Sequence, residues 1–363
     1  MRNYLDYNAS APILKEVKDC VISALDIVGN PSSIHHAGRE AKKIIEKSRE
    51  QISSFIKTDK NNIIFTSGAT EANNLVIKNF ENIISSDIEH ESIINSSNIT
   101  KVKVTSEGYI DLNHLDCIAK NINTKKPILI SVMFANNETG IIQPLDQIAK
   151  IAKKYKILFH TDAVQAVGRI NINFNNLGCD FLTLSSHKIG GPKGAGALVV
   201  KNKSSLKAFF SGGSQEYNLR AGTESLLAIA GFGAAANSNI LEQMINIIKL
   251  RNSFEVELLK ENKDIIIIGK NSKRLPNTFM FCIPGISANN ILIALDIEGF
   301  EVSTGSACSS GKIEPSRTLK AMGLSEHIYN SSVRVSLGPN NSFSQAKNFA
   351  KAVKKVKQRF LKN

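Results

Sequence analysis

The feature that most constrains the fold of this chain is a series of short apolar runs between residues 63 and 200. Runs of this length, rich in Ile, Val and Leu, are typical of strands buried on both faces of a parallel sheet. Segments with apolar residues at helical spacing, such as 38–57 and 145–154, precede and separate them. The pattern predicts an α/β fold with a mainly parallel sheet between helices. The runs lie at 63–66, 128–134, 157–161, 181–184 and 197–200.

The second half of the chain has a different pattern. A long helix is predicted from about Lys249, and no Pro/Gly-rich linker separates the two halves. We therefore expect a large domain over 12–248 and a smaller α+β domain formed by 1–11 and 249–363, with a helix at the border. The candidate strands of the smaller domain lie at 264–268, 278–283, 300–303 and 332–337.

Length and composition exclude several classes of protein. With 363 residues, the chain can build a large and a smaller domain and shield a deep pocket. No apolar run approaches the roughly 18 residues that a membrane span needs. Residues 1–6 lack the apolar stretch of a signal peptide. We therefore expect a soluble protein of the cytoplasm that has no membrane partner.

The cysteines form an odd, widely spaced set without a Cys-x-x-Cys pair, which argues against a disulfide framework and a zinc finger. Cys20, Cys117, Cys179 and Cys282 lie in apolar patterns and are expected to be packing residues, whereas Cys308 lies among small polar residues. The formal net charge of +13 could attract nucleic acid. Because the lysines are spread along the chain, we do not expect direct nucleic-acid binding.

Polar residues follow several of the predicted strands, at the edge where an open α/β sheet binds its ligands. The segment 67–71, Ser-Gly-Ala-Thr-Glu, could hold a phosphate through backbone N–H groups and the Thr70 hydroxyl. Taken alone, an ordinary helix start capped by Ser or Thr explains it better. Asp162 and Gln165 follow the run at 157–161. A carboxylate there either caps a helix or keeps a pyridine nitrogen protonated.

The strongest of these segments follows the run at 181–184. It reads Ser-Ser-His-Lys-Ile-Gly-Gly-Pro-Lys-Gly over 185–194, and it combines two hydroxyls and an imidazole that suit an anion with glycines that permit tight turns. A single lysine is ordinarily a solvated surface charge. The position of Lys188 at a strand end, beside anion ligands and with Asp162 one strand earlier, predicts a lysine that forms a Schiff base.

Together these segments resemble the fold-type I pyridoxal-phosphate enzymes of the class-V aminotransferase superfamily, and specifically the group I cysteine desulfurases of the NifS/IscS kind. The resemblance runs from Tyr4 to Ser336. It implies a large domain with a mainly parallel seven-stranded sheet sandwiched by helices, and a smaller α+β domain. The motifs, in order, are Asn30-Pro31-Ser32-Ser33, Ser67-Gly68-Ala69-Thr70-Glu71-Ala72-Asn73-Asn74, Glu89-His90-Glu91-Ser92, Asp162-Ala163-Val164-Gln165 and Arg220-Ala221-Gly222-Thr223-Glu224.

The resemblance implies a role for each matching residue around the cofactor, pyridoxal 5'-phosphate. Lys188 would bind it covalently, and Asp162 would pair with its pyridinium nitrogen. Asn137 and Gln165 would hydrogen-bond its ring substituents, with Gln165 at the phenolic oxygen. His90 would stack on its ring and take part in proton transfer.

The cofactor's phosphate would be held by residues of two subunits. By the same resemblance, one subunit would supply Ala69, Thr70, Ser185 and His187, and the other would supply Thr223. An obligate homodimer is therefore implied together with the cofactor.

The segment 303–311, Ser-Thr-Gly-Ser-Ala-Cys-Ser-Ser-Gly, predicts a mobile loop, because it is too polar for a core and too flexible for a helix or strand. A swinging Cys308 explains it better than a buried cysteine. By resemblance, Arg334 with Asn137 would bind the substrate's α-carboxylate, although an exposed strand arginine is the simpler interpretation. The implied reaction takes sulfur from L-cysteine, leaves L-alanine and forms a persulfide on Cys308.

The sulfur acceptor stays open at this point. An iron–sulfur scaffold, a tRNA-thiolation protein and other sulfurtransferases are all candidates. The sequence ends soon after Arg334, without the longer C-terminal extension with which housekeeping bacterial members dock their scaffold. Two other functions compete. An aminotransferase or lyase of the same fold would not need Cys308, and a cofactor-binding regulator would have lost catalysis.

Overall fold

The computed structural model describes residues 2–96, 98–122, 124–304 and 315–361. Within these ranges the strands are β1 (Asn3–Tyr4), β2 (Ile63–Thr66), β3 (Asn82–Ser86), β4 (Ile99–Val102), β5 (Ile128–Ser131), β6 (Leu158–Asp162), β7 (Phe181–Ser185), β8 (Gly196–Val200), β9 (Ile266–Ile268), β10 (Thr278–Cys282), β11 (Phe300–Glu301) and β12 (Ser332–Ser336).

The helices alternate with these strands. Within the same ranges they are α1 (Lys15–Ala24), α2 (His36–Ile56), α3 (Ala69–Ile77), α4 (Glu91–Ile94), α5 (Leu112–Asn121), α6 (Leu145–Tyr155), α7 (Phe174–Leu177), α8 (Gln215–Asn218), α9 (Leu226–Ala236), α10 (Ile240–Glu261), α11 (Ala288–Ile297), α12 (Arg317–Ala321), α13 (Glu326–Tyr329) and α14 (Phe343–Leu361).

Seven of the strands form one mixed sheet in the order β2-β8-β7-β6-β5-β3-β4. Strand β8 runs antiparallel to its two neighbours, and all the other neighbouring strands are parallel. Helices α3, α5 and α6 pack against this sheet. The prediction of an α/β fold with a mainly parallel seven-stranded sheet is confirmed.

Strands β3 and β4 lack the continuous apolar run on which the strand prediction depends. In β3 two of the buried positions are Ser85 and Ser86, whose hydroxyls donate to the carbonyl of Ser131 on β5 and to the carboxyl of Glu89 in the next loop. Strand β4 lies at the edge of the sheet, and its Thr100 and Lys101 are exposed. Both strands therefore contain polar residues, buried in β3 and exposed in β4, and an apolar run does not predict either strand.

The C-terminal part forms a second sheet, which is antiparallel and has the order β12-β10-β9. Strand β1 pairs in parallel with β11, and the backbone N–H of Ser336 donates to the carbonyl of Leu5 at 2.8 Å. The N-terminus of the chain is therefore bonded to C-terminal elements.

Helix α10 begins at Ile240, about nine residues before the predicted start near Lys249. The sequence pattern misses its first half because apolar residues lie there on two faces of the helix. Ile247 is buried, whereas Ile248 is exposed, so the amphipathic pattern is weak there. The predicted border between residues 248 and 249 lies inside this helix. No helix within the described ranges combines the length and the apolar character required to cross a membrane.

A buried ion pair holds the segment that precedes Thr223. The carboxylate of Glu216 accepts hydrogen bonds from both terminal nitrogens of Arg49, at 2.9 and 2.7 Å, and from the backbone N–H of Phe65 at 2.7 Å. Glu216 and the two residues after it all have positive φ angles, which L residues adopt at a cost in free energy. The ion pair therefore fixes a left-handed turn against the edge strand β2.

We expect Glu216→Gln to lower the free energy of unfolding by about 3–5 kcal/mol, because it leaves the buried Arg49 charge without its partner. The matched control is Glu50→Gln, which breaks the exposed pair of Glu50 with Lys60 and should cost less than about 1 kcal/mol. Urea denaturation of both variants measures the two losses. Equal losses would show that the buried pair is not the anchor.

Candidate active site

A cavity of about 490 Å³ lies at the carboxyl ends of the parallel strands. Thr223 is exposed and is not part of its wall, and Cys308 lies outside the described residues. All the other predicted site residues line it. They are Ala69, Thr70, His90, Asn137, Asp162, Gln165, Ser185, His187, Lys188 and Arg334.

The central sheet brings these residues together from distant parts of the sequence. Asp162 is the last residue of β6 and Ser185 the last of β7, and Lys188 ends the single turn of 3-10 helix that follows. His90 comes after β3, and Asn137 after β5. Because these four strands are parallel, their carboxyl ends meet at one edge, where open α/β sheets bind ligands.

The start of α3 suits an anion. Its N-cap residue is Gly68, which offers no side chain to the first N–H groups of the helix, so the interpretation of 67–71 as a start capped by Ser or Thr is wrong. Gly196 of β8 packs directly on this turn, since a Cβ atom there would lie 2.6 Å from the carbonyl carbon of Gly68. Ala69 and Thr70 thus face the cavity at a helix N-terminus that favours a phosphate.

Lys188 reaches from the loop after β7 to the N-terminal segment. Its Nζ donates to the carbonyl of Asn8 at 2.7 Å and to that of Ala9 at 2.8 Å. Asn8 is fully buried, and its own N–H donates to Oγ of Ser336 at 2.9 Å. Lys188 is therefore not an ordinary solvated lysine: it lies in the cavity wall, and its ammonium group is bonded to the N-terminal segment.

The charges near His187 favour an anion in the cavity. Burial, together with the positive charges of Lys188, Lys193 and Arg169, lowers the pKa of His187 to about 4. The imidazole is therefore neutral at pH 7 and donates from one ring nitrogen. Its Nδ1 lies 3.3 Å from the hydroxyl of Ser10.

Arg169 sets the orientation of the Gln165 amide. Its guanidinium donates to Oε1 of Gln165, to the backbone carbonyl of the same residue at 2.7 Å and to the carbonyl of Tyr7 at 3.2 Å. Nε2 of Gln165 donates to the Asn8 carbonyl at 3.1 Å. A guanidinium only donates and a carbonyl only accepts, so both neighbours require this orientation. Burial lowers the pKa of Arg169 to about 9, which keeps it charged at neutral pH.

Arg334 lies on β12 and is buried, so the interpretation as an exposed strand arginine is wrong. It donates to the carboxylate of Asp6 at 2.6 Å and to the carbonyl of Asn137 at 3.0 Å. Its Nε is buried and has no hydrogen-bond partner among the described residues. A buried, unpaired N–H of a charged group in a cavity wall is suited to a carboxylate ligand.

Glu89 joins the loop after β3 to the loop after β5. Its carboxyl oxygens accept from the backbone N–H of Met133 at 2.8 Å and from the hydroxyl of Ser86 at 3.0 Å. Burial, to which the nearby charge of Asp162 adds, raises the pKa of Glu89 to about 8. Glu89 therefore fixes the position of its neighbour His90 with a carboxyl group that is mostly protonated at neutral pH.

Both flanks of the segment 305–314, which contains Cys308 and lies outside the described residues, contact the cavity wall. Ser303 and Arg334 exchange two backbone hydrogen bonds, of 3.2 and 2.7 Å. On the other side, Ser316 and Thr318 donate their hydroxyls to the carboxylate of Glu138 at 2.5 and 2.8 Å. Because Glu138 directly follows Asn137, the residues on both sides of this segment are attached beside the cavity.

Of the cysteines that are expected to be packing residues, Cys117 is exposed. Cys179 and Cys282 are buried, and burial raises the pKa of Cys282 to about 11. Cys117 is exposed on α5, so the prediction that it is a packing residue is wrong. It lies on the side of the helix away from buried Leu115 and Ala119.

Sequence patterns do not assign a role to several residues on which this site depends. They share a polar side chain at a buried or half-buried position close to a predicted site residue, and only the fold reveals that position. They are Asn8, Asn73, Glu89, Ser92 and Arg169.

Comparison with known proteins gives consistent matches along the chain. Residues 3–349 match the family described as aminotransferase class-V. The chain is 43% identical over 355 residues to cysteine desulfurase IscS of Dictyoglomus turgidum, which covers 92% of this chain and 89% of that protein. It is 36% identical over 376 residues to cysteine desulfurase IscS of Methanosarcina thermophila, covering 98% and 92%. The X-ray structure of a NifS-like protein from Rickettsia africae is 40% identical and has a TM-score of 0.92, covering 98% and 99%.

Glu89 makes stability depend on pH, with a sign that follows from its raised pKa. Below about pH 4.5 its carboxyl is protonated in both the folded and the unfolded chain. Between about pH 4.5 and about pH 8 the unfolded chain releases this proton while the folded chain keeps it, so the free energy of unfolding falls as the pH rises. Glu89→Gln imitates the protonated form and should remove this decrease.

We compare the free energy of unfolding of Glu89→Gln with that of the unchanged protein. The difference should change in favour of the variant by roughly 2–4 kcal/mol from about pH 5 to about pH 8. Urea denaturation at both pH values measures this gain, and the exposed Glu50→Gln variant should show none. A difference that stays constant with pH would mean that Glu89 is already ionised in the fold at the lower pH.

Proposed function

Because this chain belongs to the class-V aminotransferase family, and within it to the cysteine desulfurases, we propose that sulfur leaves L-cysteine in the cavity around Lys188. The enzyme depends on pyridoxal 5'-phosphate and uses L-cysteine as substrate. The observation that carries the site assignment is the convergence of Lys188, Asp162 and the buried Arg334 on one cavity.

The residues of the cavity fit the cofactor. Lys188 would hold it covalently, the Asp162 carboxylate would pair with its ring nitrogen, and the N-terminus of α3 with Ser185 and His187 would hold its phosphate. When bound, pyridoxal phosphate withdraws electrons from the substrate and weakens the bonds at its Cα and Cβ. Asp162 is held for this task by the N–H of Val164 at 3.0 Å and the amide of Asn73 at 2.8 Å.

Arg334 would bind the substrate's α-carboxylate. The Asn137 carbonyl and the Asp6 carboxylate each accept from one terminal nitrogen, which fixes the guanidinium plane, and the Nε–H has no partner among the described residues. A charged donor that is held in place before the ligand arrives pays little ordering entropy on binding. Lys188 and His90, which line the same cavity, would move and hold protons during the reaction.

Cys308 would accept the sulfur. Its thiolate sulfur bonds to the substrate sulfur while the Cβ–S bond breaks, and the electron pair left at Cβ takes up a proton to give L-alanine. A persulfide remains on Cys308. The attachment of both flanks of 305–314 beside the cavity supports this role. A protein acceptor then takes the sulfur, and we propose an iron–sulfur scaffold or a tRNA-thiolation protein.

We also propose that the enzyme is a homodimer in which Thr223 completes the phosphate site of the neighbouring subunit. Thr223 is exposed and lies outside the cavity wall of its own subunit. Two ion pairs hold the segment before it: Arg49 with Glu216, and Arg220 with Glu71 at 2.9 Å. A fixed, exposed hydroxyl suits a role in a second subunit.

Cys308→Ala should bind pyridoxal phosphate and L-cysteine, as judged by the visible absorbance of the bound cofactor, but release L-alanine at least about a hundredfold more slowly. Cys117→Ala is the matched control, since it removes the exposed thiol of α5, which lies outside the cavity wall, and should leave the rate unchanged. Alanine and sulfide are measured with cysteine as substrate.

Unimpaired turnover by Cys308→Ala would refute the sulfur-transfer role and favour a lyase of the same fold. An aminotransferase would give pyruvate-type keto acids and no sulfide. No turnover by the unchanged protein would favour a cofactor-binding regulator.

Mixing two inactive variants tests the shared phosphate site. In the proposed dimer each site takes Lys188 from one subunit and Thr223 from the other. In a mixed dimer of Lys188→Ala with Thr223→Glu, both substitutions therefore fall in the same site, and the second site is intact. The mixture, unfolded and refolded together, should recover about a quarter of the activity of the unchanged enzyme. A mixture of Lys188→Ala with Asp162→Asn, which damages one cavity wall in both cases, should recover none. Equal recovery in the two mixtures would contradict the role of Thr223.

A further inference from the structure

A chain of hydrogen bonds links the Asp162 carboxylate to the His90 ring. Nδ2 of Asn73 lies 2.8 Å from Oδ2 of Asp162 and 2.9 Å from the hydroxyl of Ser92. The Ser92 hydroxyl lies 2.8 Å from Nδ1 of His90. The backbone N–H of Ser92 donates to the same nitrogen at 3.1 Å. Asn73 and Ser92 therefore connect Asp162 with His90, two residues of the cavity wall that lie on different segments of the chain.

The charge of Asp162 sets the direction of the first link. An ionised carboxylate can only accept hydrogen bonds, so the Asn73 amide must present its NH2 group to it. That orientation leaves Oδ1 of Asn73 buried without a partner among the described residues. An unpaired buried oxygen costs about 1–3 kcal/mol. The opposite orientation would cost more, because it would place the amide oxygen against the carboxylate.

The same direction continues to His90. Since Nδ2 of Asn73 also donates to the Ser92 hydroxyl, this oxygen acts as an acceptor and its own hydrogen is available for Nδ1 of His90. The backbone N–H of Ser92 cannot accept a hydrogen bond, so Nδ1 must be the acceptor there too. A neutral imidazole that accepts at Nδ1 carries its proton on Nε2.

A helix cap explains only part of this arrangement. His90 is the N-cap residue of α4, and an N-cap side chain ordinarily accepts from a backbone N–H in the first turn. The cap accounts for the bond from the Ser92 N–H. It does not account for the Ser92 hydroxyl, for the fully buried Asn73 amide or for their connection to Asp162.

We propose that Asn73 and Ser92 are positioning residues that fix His90 as the Nε2–H tautomer, so that His90 donates a hydrogen bond from Nε2 and does not act as the base. Both of its nitrogens are unsuited to a base: Nε2 already carries the proton, and Nδ1 accepts from two donors. The tautomer follows from the geometry alone, whereas the role in the reaction rests on the proposed function. Lys188 then remains as the group that takes the substrate's proton.

The tautomer is measured directly by ¹⁵N NMR of protein labelled at histidine, because protonated and unprotonated ring nitrogens resonate in separate ranges. His90→Gln identifies the signals by their loss. We expect Nε2 to be protonated and Nδ1 to be unprotonated and hydrogen-bonded. A protonated Nδ1 at neutral pH would overturn the proposal whether or not the protein is a desulfurase.

Variants of the two positioning residues test the chain of bonds. Ser92→Ala should shift the Nδ1 resonance toward the value of a nitrogen with fewer donors, and Ser92→Thr, which keeps the hydroxyl, should restore it. Asn73→Leu should cause a smaller shift in the same direction. The double variant Asn73→Leu/Ser92→Ala should match Ser92→Ala alone, because Asn73 acts through the hydroxyl. Additive shifts, or no shift in Ser92→Ala, would contradict the chain.

The chain contains a control for general damage to the fold. His160 is buried on β6, where its ring nitrogens contact the hydroxyls of Ser131 at 2.9 Å and Thr183 at 3.0 Å. Its resonances appear in the same spectra and should stay unchanged in all these variants. A simultaneous change at His160 and His90 would mean that the substitutions disturb the sheet, in which case a positioning role is refuted.

Kinetics separate a donor from a base at position 90. The Gln amide can donate a hydrogen bond but cannot take up a proton, so His90→Gln should keep alanine release within about tenfold of the unchanged rate, whereas His90→Leu should lose about a hundredfold or more. Equal losses of about a hundredfold in both variants would show that His90 acts as a base. If the unchanged protein releases no alanine from cysteine, the proposed function fails, and the NMR result still decides the tautomer.

Discussion

The parallel pairing of β3, β5, β6 and β7 is the constraint on which the cavity depends. The register places Asp162 beside Thr183 and His160 beside Phe181, so the last residue of β6 reaches the edge of the sheet. Since side chains alternate along a strand, a slip of one residue would turn Asp162 to the opposite face of the sheet. The loops that carry His90, Asn137 and Lys188 all leave this same edge, and the lysine and the carboxylate can meet only because the four strands share one direction.

The sequence predicts the residues at the ends of buried strands better than those that come from elsewhere. Lys188 and Asp162 each follow a continuous apolar run, and such a run can be recognised in the sequence alone. Arg334 alternates with valines on β12, which indicates exposure, but its side of the strand faces the cavity. Asn8 and Asn73 lie in segments whose polar composition suggests loops or solvent-facing positions. Their place at the site depends on pairings between distant segments, which local patterns do not contain.

Charges in this cavity act largely by orienting neutral groups. The Arg169 guanidinium fixes the Gln165 amide, and the Asp162 carboxylate fixes that of Asn73. In a buried site such orientation is strong, because a reversed amide would place like partial charges in contact where water cannot screen them. The sequence cannot predict these orientations, since they depend on which charge lies beside which amide. Two ionised side chains, Arg169 and Asp162, thereby determine the hydrogen-bond directions of Gln165, Asn73, Ser92 and His90.

The two carbonyl groups that accept hydrogen bonds from Lys188 belong to a segment whose partners are synthesised much later. All strands of the central sheet lie between residues 63 and 200, so this sheet can form while synthesis continues. Asn8 is held by Ser336, and β1 is held by β11, so the wall that faces the lysine is completed by residues that leave the ribosome late. Until β11 and Ser336 have been synthesised, the N-terminal segment lacks the partners that hold it against Lys188. A complete cavity wall therefore requires residues that are far apart in the order of synthesis.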